Sequence, residues 1–155
     1  MYKILILLMI MTFSLQANST SSSQKLSYEQ SENLLQSIEK EAIYYGSGEK
    51  LVYVFLDPLC KFSRKFITTV ANNPKMLLKY RYCIYLYSIP RLHSQSVVSA
   101  IYMSQDRVKT LLDIMLYKHS HSAFADSNTY SIVENIESVA KQIGVNKRPF
   151  LVVAK

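Results

Sequence analysis

Cys60 and Ser63 are the residues of this chain whose types and spacing point most directly to chemistry. The apolar run Leu51-Val-Tyr-Val-Phe-Leu56 has strand length, and it delivers Asp57-Pro58-Leu59-Cys60 onto Lys61-Phe62-Ser63-Arg64-Lys65-Phe66, which has helical character. A sulfur at a helix start faces unpaired peptide N–H groups that carry partial positive charge. Such a site favours thiolate, the form that attacks disulfides. Lys61 adds a cation beside it. Three residues on, one helical turn away, a two-thiol site would carry its second cysteine, and this chain has Ser63. A hydroxyl does not attack a disulfide at neutral pH, so the two-thiol cycle is closed and single-thiol exchange is the chemistry left. The plainer alternative is an ordinary cysteine with no redox role.

The other residues able to do chemistry are quieter. Cys83 lies inside Tyr80-Arg-Tyr-Cys-Ile-Tyr-Leu-Tyr87, a strand-like run, and reads as a small buried core residue rather than a distant resolving thiol or half of an internal bridge. Asp57 reads as a turn or capping residue beside Pro58. His93, His119 and His121 have no partner spacing for a metal site, and no cofactor is called for.

Several elements must position Cys60. The run Leu26 to Tyr44 has apolar residues at helical spacing and reads as an amphipathic lead-in helix that ends before Gly46-Ser47-Gly48. Leu51–Leu56 reads as a buried central strand, and 61–70 as the following helix, with Phe62, Phe66, Ile67 and Val70 toward the sheet. A turn near Asn72-Asn73-Pro74 leads to a strand over 80–87, parallel to the first because a helix crosses between them. Segments 94–103, 107–118 and 130–143 read as helices, the last ending at Gly144, and 150–154 as a final strand.

The chain has 155 residues and a formal net charge of +7, enough for one domain with a proper core. Lys3 followed by the apolar run Ile4 to Met11 and Thr12-Phe-Ser-Leu15 is too short to span a bilayer, which takes about 20 apolar residues, and reads as a secretory signal over 1–19 cleaved near Ala17 or Ser19. An uncleaved anchor is the alternative. Residues 20–49 then form a Ser/Thr-rich linker and the lead-in helix. Export delivers the protein to a compartment where disulfides persist. The basic residues are dispersed, with no compact Lys/Arg block or nucleic-acid motif, so they read as a solvated surface and not as a nucleic-acid site.

From residue 50 onward the sequence resembles the thioredoxin fold, and within it the bacterial periplasmic disulfide isomerases of the DsbC/DsbG type. Their site reads roughly Phe-Thr-Asp-Pro-x-Cys-x-x-Cys-x-Lys; here it reads Phe55-Leu-Asp-Pro-Leu-Cys60-Lys-Phe-Ser63-Arg-Lys65. Arg81–Arg91, Ala100–Asp106 and Ile143–Phe150 follow the family's second strand, helical insertion and cis-proline loop in order. The resemblance implies an α/β, thioredoxin-like domain over 50–155 with a helical insertion, shortened by the last strand and helix. It also implies that Pro149 is a cis-proline opposite the thiol, presenting backbone to an extended substrate peptide. Arg148 stands where relatives have Thr or Val; its guanidinium is expected beside the sulfur, where it would favour thiolate and crowd the groove. Phe62, Arg148 and Pro149 are then the substrate-contacting residues. The separate dimerisation domain of those isomerases has no room ahead of residue 50. The function implied is a periplasmic, exported thiol:disulfide interchange protein, isomerase-like or monothiol, acting through Cys60. Its partners would be cysteine-containing exported proteins or peptides, with a reducing membrane or periplasmic thiol to release it. The rival from another class is a redox-inactive binding or chaperone-like module of the cell envelope.

Overall fold

The computed structural model describes residues 26–154. The expected signal over 1–19 and most of the linker lie outside the described residues. Ser27 opens α1 (Tyr28–Ser37) through a reciprocal capping box with Gln30, and Leu35 is its fully buried anchor. The helix stops there, earlier than its apolar spacing suggests. A short 3-10 turn, Glu39–Glu41, leads into β1 (Ile43–Tyr45), which pairs antiparallel with the Tyr82–Ile84 stretch. The β-branched and aromatic residues of 43–45 suit a pleated surface, and pairing with a neighbouring strand overrides the helical periodicity.

With β2 (Lys50–Leu56), β3 (Tyr80–Leu86) and β4 (Phe150–Val153), the sheet has four strands in the order β1-β3-β2-β4. At its centre, β2 and β3 run parallel from Lys50 opposite Tyr80 to Leu56 opposite Leu86. Both strands are continuously buried over their last five residues, as expected where helices cover both faces. The crossover between them is α2 (Lys61–Ala71) followed by α3 (Pro74–Lys79), a helix where the sequence suggested only a turn. Asn73 caps α3 by accepting from the Met76 amide, and Pro74 occupies its first turn, where a missing N–H is harmless. Gly48 is required where the β1–β2 connection passes this crossover: a Cβ there would sit 2.1 Å from the Lys79 carbonyl carbon.

Two helices, α4 (Gln95–Met103) and α5 (Arg107–Met115), form the insertion, and α6 (Ser127–Ile143) returns to the sheet through Ile132, Ile136, Val139 and Ala140. Gly144, at φ +82°, closes α6 in the left-handed conformation. Then β4 (Phe150–Val153) pairs antiparallel with β2, Phe55 opposite Phe150. β4 has β2 as its one strand neighbour among the described residues. Tyr28 of α1 donates its hydroxyl to the Val153 carbonyl, tying the first helix to the last strand.

Cys83 is fully buried in β3. Its thiol donates to the Tyr85 hydroxyl, which in turn donates to the Leu35 carbonyl of α1. Burial pushes the Cys83 thiol up to about 11 and pushes the Tyr85 phenol in the same direction. The folded state therefore holds this proton more tightly than the unfolded chain. The stability that follows is complete below the ordinary thiol value near 9 and is lost as pH rises toward about 11. Urea denaturation of wild-type protein and Cys83→Ala across this range should show a shallower alkaline loss in the variant, with the buried tyrosines responsible for what remains.

Candidate functional site

β2 ends in a buried carboxylate. Asp57 is fully buried; its Oδ1 accepts from the Leu59 amide at 2.8 Å, and its Oδ2 accepts from the Ile89 amide at 2.5 Å and the Ser94 hydroxyl at 2.7 Å. Asp57 is thus the turn residue that the sequence suggested, and also the clamp joining three segments. It holds the turn before α2, the segment after β3 and the start of α4. Its main chain is engaged as well: its N–H donates to Ser63 Oγ at 3.2 Å, and its carbonyl accepts from the Cys60 amide at 3.1 Å.

That clamp sets Cys60 at the N-cap of α2, in extended backbone and with no side chain capping the helix start. The carbonyl of Cys60 accepts the first helical bond, from Arg64, while the Arg64 side chain donates back to the Pro58 carbonyl at 2.8 Å. The first turn of α2 holds no acidic residue. The amide dipoles at this end of the helix are therefore unopposed within it. Cys60 is 7% exposed and lines an open groove of about 560 Å³ with Phe62, Ile89, Pro90, Arg91, Asn146, Lys147 and Arg148.

Across the groove the Arg148–Pro149 peptide bond is cis. The Arg148 carbonyl faces the sulfur and accepts from the Cys60 thiol at 3.8 Å. Its side chain does something different from the expectation. The guanidinium donates from Nε to the Tyr87 carbonyl at 3.1 Å and from Nη2 to the Ser88 carbonyl at 3.0 Å, and stacks 3.8 Å above the Tyr87 ring. The carbonyls that follow β3 draw it there, because a planar fork of donors fits two adjacent acceptors. Arg148 thereby braces the cis-peptide loop against the end of β3 and leaves the groove open.

The remaining expected residues divide in the same way. Lys61 has its Nζ 5.0 Å from the centre of the Phe62 ring. Phe62 itself is 59% exposed: it faces the groove and not the sheet, while Ile67 and Val70 of the same helix are fully buried. Ser63 is fully buried, with its oxygen on the Asp57 amide, so its hydroxyl fixes the turn. Sequence reasoning missed the cationic pair Arg91 and Lys147 on the rim, which come from loops 56 residues apart. Cys60 and Cys83 are both free thiols.

A parallel strand pair, a cysteine at the N-cap of the helix that follows, and a cis-proline loop preceding an antiparallel strand make this a thioredoxin-like α/β fold. Solved structures similar to it include a disulfide interchange protein from Neisseria gonorrhoeae, with TM-score 0.60 at 22% identity over 74% of this chain and 80% of that one. DsbG of Helicobacter pylori matches with TM-score 0.58 at 18% identity, over 81% of this chain and 63% of that one. ScsC of Proteus mirabilis in a compact conformation gives TM-score 0.66 at 12% identity, over 85% and 72%. At these identities the likeness is one of fold. No family model matches the chain, and no match was found among curated proteins.

Two outcomes follow from this geometry. Asp57→Ala leaves the Ile89 and Leu59 amides and the Ser94 hydroxyl without their charged acceptor, and should lower unfolding free energy by about 3 kcal/mol, read from denaturant midpoints. Iodoacetamide at neutral pH should label Cys60 in the native protein and reach Cys83 only after unfolding, as mass spectrometry of the digested protein would record. Labelling of both at equal rates would contradict the burial of Cys83 behind Tyr85.

Proposed function

We propose that this chain is an exported thiol:disulfide interchange protein that works through the single thiol of Cys60. The observation that carries the reading is the pairing of Cys60, at an uncapped helix start, with the loop whose Arg148 carbonyl accepts from its thiol in one open groove. In a fold shared with proteins described as disulfide interchange and thiol-disulfide exchange proteins, that pairing suits an extended peptide whose sulfur meets Cys60. The apolar run over 4–11 supports export, and one similar structure is described as a periplasmic thioredoxin-like protein from Salmonella enterica, which agrees with a periplasmic location.

The chemistry is an exchange with balanced sulfur. The Cys60 thiolate attacks one sulfur of a substrate disulfide; that S–S bond breaks as the Cys60–substrate S–S bond forms, and the second substrate sulfur leaves as thiolate and takes up a proton. Ser63 cannot attack the mixed disulfide, and Cys83 is sealed in β3. Release therefore falls to another thiol. When that thiol belongs to the same substrate, the net result is isomerisation with no change in oxidation state. When it belongs to an external reductant, the substrate disulfide is reduced and the reductant oxidised.

A redox-inactive binding module is the second reading, favoured by the hydrogen bond that holds the Cys60 thiol on the Arg148 carbonyl. Non-reducing gels of cells producing the full chain separate the two. The exchange reading expects long-lived, reductant-sensitive adducts that disappear in Cys60→Ala and diminish in Ser63→Cys, where a second sulfur one turn away provides the escape. Identical patterns for wild-type and Cys60→Ala protein would leave the binding-module reading standing.

A further inference from the structure

The groove beside Cys60 is lined by cationic side chains and by no acidic one; the Asp57 carboxylate is buried behind it, held by the Ile89 and Leu59 amides. Arg91 and Lys147 both line it and are exposed, and Lys61, also exposed, holds its Nζ 5.0 Å from the ring of Phe62, which lines the groove. None of the eleven acidic residues of the chain lines it, and all eleven fall within the described residues. The ion pairs among those residues, Lys141 with Glu137 and His119 with Asp113, involve none of the three cations. Arg148 is occupied by main-chain carbonyls, so it contributes charge to the groove without offering its fork to a ligand. Uncompensated charge of one sign around a concave surface concentrates ligands of the opposite sign and steers their approach.

Resting on the exchange reading above, we infer that the groove selects sulfurs flanked by carboxylates: a cysteine or disulfide within an acidic segment. Arg91 and Lys147 meet the carboxylates on either side of the reacting sulfur, and the exposed face of Phe62, with Ile89 and Pro90, receives the apolar part of the same segment. A basic segment would place like charges together around the forming S–S bond and is rejected. A small dicarboxylate thiol shares this chemistry without the extended backbone.

The test uses activated disulfides of 2-thiopyridine with three capped peptides that differ only in the sequence Asp-Cys-Asp, Ser-Cys-Ser or Lys-Cys-Lys, and with mercaptosuccinate. Attack by Cys60 forms the Cys60–S–S–Cys bond, breaks the reagent's S–S bond and releases 2-thiopyridone, whose absorbance gives the rate. At about 0.01 M salt the acidic peptide should react about tenfold faster than the neutral one and the basic peptide slower, with the differences collapsing near 1 M salt as the screening length falls to about 3 Å. Arg91→Glu with Lys147→Glu should invert the order, read as the ratio to the neutral peptide in the same protein. Mercaptosuccinate reacting with the same advantage assigns the site to small anionic thiols; an advantage confined to the peptide assigns it to acidic protein segments. Equal rates for all three peptides at low salt, with Cys60 reacting normally, overturn the inference while leaving the exchange reading in place. Failure of every peptide, the neutral one included, in protein whose Cys60 still takes up iodoacetamide overturns the exchange reading itself.

Discussion

A carboxylate removed from water must be given donors, because an unpaired buried charge costs several kcal/mol. Asp57 has three, and they come from three separate parts of the chain: the turn ahead of α2, the segment after β3 and the first residue before α4. Satisfying that one group fixes where β2 ends, how α2 begins and where the insertion helices attach to the sheet. Cys60 inherits its position from this arrangement, since its amide bonds to the Asp57 carbonyl. The Ile89 end of the same clamp contributes to the lining of the groove, and Arg148 fastens the loop that carries it to the Tyr87 and Ser88 carbonyls just before Ile89. Both walls are thus referred to one short stretch, 87–89, at the end of a central buried strand.

The parts of this arrangement legible in the sequence are those determined by local pattern. The seven-residue strand β2, the cysteine at the start of α2, the parallel β3 and the glycine stop of α6 all carry their signal within a few residues. What was not legible depends on partners far along the chain. β1 is three residues long and exists because Ile84, Cys83 and Tyr82 are there to pair with it. Asp57 looked like a turn residue because its nearest partner, Leu59, is local, whereas Ile89 and Ser94 lie 32 and 37 positions away. Arg148 was expected beside the sulfur from its place before the proline, but the direction of a long side chain is decided by the acceptors within its reach. Phe62 fits a helical apolar stripe on paper; one position away from the buried Ser63, it points outward instead.

Ser63 is more than a missing cysteine. Its oxygen accepts from the Asp57 amide inside the protein, and an alcohol oxygen is a far better acceptor than a thiol sulfur. That bond links the first turn of α2 to the residue that organises the site, and under the proposed reading a hydroxyl at this position supplies no sulfur to resolve a mixed disulfide.

The two cysteines are divided by environment rather than by distance along the chain. Cys83, behind Tyr85 and α1, keeps its proton well above neutral pH and is shielded from any large reagent. Cys60 opens on a groove whose charged side chains are all cationic. A protein with one sealed and one presented thiol has no internal route for returning an adduct, so the lifetime of that adduct is set by whatever second thiol the groove admits. Under the proposed reading, the walls that Asp57 and Arg148 fix to that one stretch then govern both ends of the reaction: which sulfur is attacked, and which is allowed in to finish it.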